Sequence, residues 1–138
     1  MLSNLLTSRD LVTGLPDRDY VERYLKSEPK KSDVAVLYIR IELLRELEHA
    51  IGRFATDEAL SDFAERVKVR IREGDVFARL ESNFFAIVAE RMTPAGLRSV
   101  TERVRSIRNA STLTHREIRM HTVVWNEMRK EKQSELRI

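Results

Sequence analysis

The most regular feature of the chain is a set of short apolar runs separated by amphipathic segments. Residues 34–41 read VAVLYIRI, and this β-branched, apolar run predicts a buried central strand. Two further strands are predicted over 75–80 and 84–89, joined by a tight turn at 81–83, and a last strand over 118–125. The chain therefore carries the strands of one sheet.

The segments between these strands have apolar residues at helical spacing. This spacing predicts helices over 16–25 and 43–51, a helix that begins at Asp57 as its N-cap and stops near Gly74, and a helix opened by Thr93. The predicted order is α-β-α-α-β-β-α-β. It indicates an α/β domain with a central mixed or antiparallel sheet flanked by helices.

Composition narrows the class of protein. A length of 138 residues predicts one domain, and the lack of cysteine excludes disulfides and thiolate chemistry. A net charge of +3 is too small to indicate a nucleic-acid partner. No apolar run reaches membrane-spanning length and no signal peptide is found, so we expect a cytoplasmic domain that does not itself insert into a membrane. A longer parent protein could still be membrane-anchored.

Three segments carry motifs of a known bacterial signalling family in the family's order and near its spacing. They are DLVTGLPDR at 10–18, RIELLRELEHAIGRFATD at 40–57, and REGDVFARLESNFF at 72–85. The chain resembles the GGDEF domain, which condenses two GTP into cyclic di-GMP on a polymerase-palm-like sheet. The resemblance implies a GGDEF-type domain over 10–126, preceded at 1–9 by a linker or helix end and followed at 127–138 by a charged tail. The family's C-terminal helix is expected to be missing or degenerate.

The departures from the family pattern fall on its chemistry. Where the family carries two metal-binding carboxylates, this chain carries Arg40 and Phe84. An arginine repels a metal ion, and a phenylalanine has no lone pair to offer Mg²⁺. Glu81 and Ser82 replace the two glycines that let the backbone approach phosphates. The degenerate signature is thus Glu81, Ser82, Asn83, Phe84 and Phe85, and the resemblance implies no catalytic residue, no metal and no cofactor.

One of the family's two guanine-reading residues is present in this chain and the other is replaced. Glu48 stands where the family has an asparagine, while Asp57 matches the guanine-reading aspartate. A domain that still binds GTP, with Arg40 neutralising phosphate in place of the metal, is one hypothesis. The carboxylates of Glu48 and Glu81 oppose it.

The R-x-x-D pair of the family's product-binding inhibitory site is present as Arg72 and Asp75. An arginine fork can donate to guanine O6 and N7 or to phosphate, and a carboxylate can accept from the guanine N–H groups. The resemblance adds Arg103, with Arg105 as the fallback, from the following helix. The plainer alternative is that Arg72 and Asp75 form a surface ion pair, worth little to stability.

Two functions from different classes follow. The first is an inactive GGDEF-like receptor that binds cyclic di-GMP through Arg72, Asp75 and Arg103. The second is a nucleotide-independent interaction domain that forms a homodimer or binds another signalling protein.

Overall fold

The computed structural model describes residues 8–27, 34–107, 118–126 and 130–134. The strands are β1 Val34–Ile41, β2 Val76–Glu81, β3 Phe84–Glu90, β4 Ile118–Asn126 and β5 Lys130–Ser134. The helices are α1 Arg18–Lys26, α2 Leu44–Ile51, α3 Arg53–Lys68 and α4 Pro94–Arg105. No helix in these ranges is both long enough and apolar enough to cross a membrane.

The sheet confirms the predicted α/β architecture. Its strand order is β2-β3-β1-β4-β5, and each neighbouring pair is antiparallel. The run VAVLYIRI is the central strand β1, as predicted, because it pairs on one side with β3 and on the other with β4. In this register Arg40 lies opposite Phe84 on β3 and opposite Arg119 on β4.

The core lies mainly on one face of the sheet. Leu37, Ile39 and Ile41 of β1 pack there in a cluster with Phe63 of α3 and Val104 of α4. All five side chains are almost completely buried. Removing an aromatic ring from such a position costs about 3–5 kcal/mol, so this cluster is a main source of stability.

A smaller cluster covers part of the opposite face. Val34 and Val36 of β1 pack there with Val21 of α1 and Ala78 of β2. The helix α1 therefore sits on the β2 side of this face, next to the β2–β3 hairpin.

The predicted N-cap role of Asp57 is wrong. The helix α3 begins four residues earlier, at Arg53, and Gly52 both ends α2 and precedes α3. Gly52 has φ 88° and ψ 165°, a conformation that only glycine adopts readily. The first residues of α3, 53–55, bury no side chain, which is why the apolar pattern alone places the start too late. The helix also ends at Lys68, short of Gly74.

A fifth strand adds to the predicted order. Residues 127–138 were expected to form a charged tail, whereas Lys130–Ser134 pairs with β4 at the edge of the sheet. The segment reads KEKQS and contains no apolar residue, so its sequence gives no strand signal. Lysine-rich polar strands are common at sheet edges, where they discourage pairing with another chain. The predicted N-terminal segment 1–9 falls outside the described residues except for Ser8 and Arg9.

Candidate functional site

The turn before α1 is tied to the β2–β3 hairpin by Asp10 and Arg79. The side chain of Arg79 is only 9% exposed, and its Nη1 lies 3.1 Å from Oδ2 of Asp10. Its Nη2 donates to the carbonyl oxygen of Ser82 at 2.6 Å. The amide and hydroxyl of Thr13 donate to the same Asp10 carboxylate at 2.8 and 2.7 Å. This network fixes the backbone of the hairpin turn.

The electrostatics of Asp10 follow from these bonds. Partial burial alone would raise the pKa of Asp10. The hydrogen bonds from Thr13 and the guanidinium of Arg79 more than offset that effect, and the pKa lies below its ordinary value of 3.8. The ionised carboxylate is therefore the form that the fold favours.

The five signature residues take separate positions along the hairpin. Glu81 ends β2 and lies 3.2 Å from Nη2 of Arg18. Ser82 and Asn83 form the turn, and the Asn83 carbonyl accepts from the Ile41 amide at 2.8 Å. Phe85 is fully buried in the core, whereas Phe84 is partly exposed on the opposite face.

A cleft of about 520 Å³ opens beside this hairpin, between the turn before α1 and the start of α3. Glu48 and Asp57, which align with the family's guanine-reading positions, both line it. Its described charged side chains are three arginines and five carboxylates, namely Arg9, Arg53, Arg79, Asp10, Asp17, Glu48, Asp57 and Glu81. The excess of carboxylates makes the cleft unfavourable for a triphosphate.

The two positions aligned with metal-binding carboxylates form a stack. The guanidinium carbon of Arg40 lies 4.9 Å from the centre of the Phe84 ring. The Phe84 ring also stacks on Tyr38, with ring centres 5.3 Å apart and planes 5° from parallel. Within the described ranges, no group of three or more histidine, aspartate or glutamate residues could hold a metal ion. Neither Arg40 nor Phe84 offers an oxygen ligand, so the Mg²⁺ implied by the family does not fit these two positions.

Arg72 and Asp75 contact each other directly, as the ion-pair alternative expected. Nη2 of Arg72 lies 3.1 Å from Oδ1 of Asp75, and the backbone amide of Arg72 donates to Oδ2 at 3.0 Å. The Asp75 side chain is 3% exposed and that of Arg72 is 43% exposed. Nη2 of Arg72 also donates to the carbonyl oxygen of Glu90 at 2.8 Å. The arginine thus covers the carboxylate and still faces solvent.

An open recess of about 360 Å³ adjoins this pair, and we call it the Arg72 recess. Its lining residues come from the turn before β2, the end of β3 and α1: Tyr24, Arg72, Glu73, Gly74, Asp75, Glu90 and Arg91. At Gly74, where φ is 91°, an added Cβ would meet no atom within 4 Å. The recess therefore has free space directly beside Arg72 and Asp75.

Sequence reasoning missed Tyr24, Glu90 and Arg91 as lining residues. The Tyr24 hydroxyl donates to Oε1 of Glu90 at 3.1 Å. Burial, together with the Glu90 carboxylate, raises the pKa of Tyr24 to about 12. Tyr24 therefore remains a neutral phenol at physiological pH. These residues come from elements distant in sequence, so no local motif marks them.

The structure does not place Arg103 on the lining of the recess. Its Nη1 donates to the carbonyl oxygen of Arg70 at 2.9 Å, and its Nη2 donates to the hydroxyl of Ser99 at 3.0 Å. Arg103 thus holds the backbone that leads into the R-x-x-D turn. Arg105 forms an ion pair with Glu102 at 3.4 Å.

Comparison with known proteins agrees with the motifs. The family model described as diguanylate cyclase, GGDEF domain, matches residues 7–131. The diguanylate cyclase TpbB of Pseudomonas aeruginosa is 31% identical over an alignment of 84 residues, and the match covers 57% of this chain and 19% of TpbB. The chain thus spans about a fifth of the length of this curated relative.

Solved structures share the fold. The GGDEF domain of TpbB superposes with a TM-score of 0.70 at 24% identity, covering 84% of this chain and 73% of that one. The GGDEF domain of DgcB from Caulobacter crescentus, in complex with c-di-GMP, superposes with a TM-score of 0.68 at 15% identity, covering 86% and 74%. With its motifs, its sheet and its match to the family over most of its length, this chain belongs to the GGDEF domain family.

Proposed function

We propose that this domain binds cyclic di-GMP at the Arg72 recess and does not synthesise it. The observation that carries the proposal is the recess itself. It places open space beside a guanidinium and a carboxylate, Arg72 and Asp75, that together complement guanine. A GGDEF domain of the same fold, that of DgcB, is known in complex with c-di-GMP.

The absence of synthesis is proposed from the stack of Arg40 on Phe84. Joining two GTP is phosphoryl transfer, which relies on metal ions to neutralise the developing charge. The stack presents a cation and an aromatic ring where that metal would need oxygen ligands. The carboxylates of the cleft, Glu48 and Glu81 among them, also oppose the binding of a triphosphate.

Binding requires an exchange of partners at Asp75. In this structure the guanidinium of Arg72 is paired with the buried carboxylate of Asp75. If Arg72 turned toward a ligand, Asp75 would be left without that donor, and an unpaired buried charge is costly. The N1–H and N2–H₂ groups of guanine can replace the lost donors, while Arg72 binds O6, N7 or phosphate. A ligand without this donor edge would not compensate Asp75.

The second candidate is an interaction domain that binds no nucleotide. It is favoured by large apolar side chains that are exposed to solvent, notably Leu11 at 98% and Phe54 at 78%. Covering a large apolar side chain with a partner removes its surface from water, which is favourable. This function predicts association in solution without any response to cyclic di-GMP.

Calorimetric titration of the domain with cyclic di-GMP, with GTP as the control, tests the proposal. The receptor function predicts heat that saturates with cyclic di-GMP and is reduced in Arg72→Ala. The same experiment with GTP distinguishes binding at the Arg72 recess from binding in the cleft beside the hairpin, since GTP would bind in that cleft.

A further inference from the structure

We propose that Arg91 supplies the second cation of the cyclic di-GMP site. This inference rests on the proposed function and adds a residue to it. The family resemblance assigned the second arginine to Arg103, on α4. In this structure it is Arg91, immediately after β3, that shares the recess with Arg72 and Asp75.

Arg91 lies at the Arg72 recess because Glu90, the residue before it, is bonded to Arg72. The carbonyl oxygen of Glu90 accepts from Nη2 of Arg72 at 2.8 Å, so the backbone next to Arg91 is bonded directly to the R-x-x-D arginine. The backbone of Arg91 has φ 55°, the left-handed conformation that side chains other than glycine and asparagine seldom adopt. The chain thus turns sharply between β3 and α4, and Arg91 occupies this turn.

A ligand with two phosphates needs a cation in the recess besides Arg72. Three carboxylates line it, those of Glu73, Asp75 and Glu90, against two arginines. On binding, Arg72 leaves Asp75 to read guanine, and the two phosphates of a cyclic dinucleotide add two negative charges. Arg91 is exposed and lines the recess, and it takes part in no ion pair or side-chain hydrogen bond with the part of the chain that the structure describes. It is the lining guanidinium that remains available for phosphate.

Arg103 is less suited to that task. Two of its guanidinium nitrogens already donate to Arg70 and Ser99, and it does not line the recess. We therefore assign Arg103 as a positioning residue that holds the backbone before Arg72. Arg91 contacts phosphate, whereas Arg72 and Asp75 read guanine.

The test compares Arg91→Asn with Arg98→Asn by titration of the folded domain with cyclic di-GMP. Asparagine tolerates the left-handed backbone of Arg91, so the variant removes the charge with little added strain. Arg98 is an exposed arginine on α4 that does not line the recess, and its replacement controls for the loss of one positive charge. Loss of a charge-assisted hydrogen bond predicts about ten-fold weaker binding or more for Arg91→Asn. Binding by Arg98→Asn should change less than two-fold, which is the scale of a distant, screened charge.

A second readout is the dependence of the affinity on salt. Arg91→Asn should flatten this dependence, since it removes a phosphate contact, and Arg91→Lys should retain most of it. Unchanged binding by Arg91→Asn, with the wild type binding and Arg72→Ala impaired, would overturn the role of Arg91 and leave the receptor function intact. The role of Arg91 would also be overturned if Arg91→Asn bound cyclic di-GMP normally while Arg103→Ala bound it more weakly at an unchanged melting temperature. No binding by the wild type would overturn both proposals.

Discussion

The guanidinium of Arg40 lies 4.9 Å from the centre of the Phe84 ring, directly across the β1–β3 pair. In the family's pattern these two positions carry the carboxylates that hold metal. A cation and an aromatic face attract each other by about 0.5–1 kcal/mol when exposed, so the two replacements are mutually favourable. The pair therefore presents a guanidinium stacked on a ring, and no carboxylate, at this point of the β1–β3 pair.

The first prediction concerns synthesis. Incubation of the domain with GTP and Mg²⁺ or Mn²⁺ should yield no cyclic di-GMP above a protein-free blank, because Arg40 and Phe84 offer no oxygen to a metal. Product formation can be followed by chromatography. Turnover that disappears on further mutation of this domain would show that the signature has been misaligned.

The second prediction is that restoring the two carboxylates is not enough. The double variant Arg40→Asp with Phe84→Glu still has Glu81 and Ser82 in place of two glycines, and the cleft keeps its excess of carboxylates. It should remain inactive in the same assay. If this variant made cyclic di-GMP, the glycine positions and the cleft charges would not be limiting.

The third prediction concerns the Asp10–Arg79 network. Asp10→Asn should lower the free energy of unfolding at pH 7 by about 1–3 kcal/mol, since Arg79 is left almost buried without its counter-charge. Because the pKa of Asp10 is lowered by folding, its contribution is present above the ordinary value of 3.8 and is lost as the pH falls through the folded-state pKa. The difference between wild type and variant should therefore shrink in acid.

Thermal or urea unfolding between pH 7 and pH 3 measures this effect. Asp62→Asn is the matched control, because Asp62 pairs with Arg66 at 2.8 Å on the partly exposed side of α3. Such a pair is worth about 1 kcal/mol or less. Equal losses in the two variants would mean that the Asp10 network adds no more than a surface pair.

The sequence predicted the central strands of the sheet more accurately than the start of α3 and the edge strand β5. The run VAVLYIRI could be recognised as the central strand because it is apolar on both faces, and the Thr93 cap with Pro94 correctly marked the start of α4. The start of α3 was misplaced because residues 53–55 bury no side chain, so the apolar spacing of the helix becomes visible only near Asp57, which is itself a common N-cap residue. Strand β5 was missed because its pairing with β4 depends on its neighbour and not on its own polar sequence.

The candidate site was only partly accessible from the sequence. Arg72 and Asp75 are three residues apart, so their contact follows from local geometry. The approach of Arg91 from the end of β3 and of Tyr24 from α1 depends on how the elements pack. The alignment with the family pointed to Arg103, and no sequence feature indicates that its donors are used by Arg70 and Ser99.

The fourth prediction separates guanine reading from phosphate binding. Asp75→Ala removes the acceptor for the guanine N–H groups and frees Arg72 from its ion pair. The variant should lose discrimination between cyclic di-GMP and cyclic di-AMP. By contrast, Arg91→Asn should weaken the binding of both cyclic dinucleotides to a similar extent. Parallel titrations with both ligands provide the comparison. Discrimination that survives in Asp75→Ala would assign guanine reading to another group.

Calorimetric titration of the domain decides whether the Arg72 recess binds cyclic di-GMP. We predict saturable heat with cyclic di-GMP, little or none with GTP, and binding weakened by about ten-fold or more in Arg72→Ala, as expected for loss of a charge-assisted hydrogen bond. The melting temperature of the wild type should rise with ligand concentration. The absence of both heat and a shift in melting temperature at high micromolar cyclic di-GMP would rule out the receptor function and leave the nucleotide-independent interaction domain in its place.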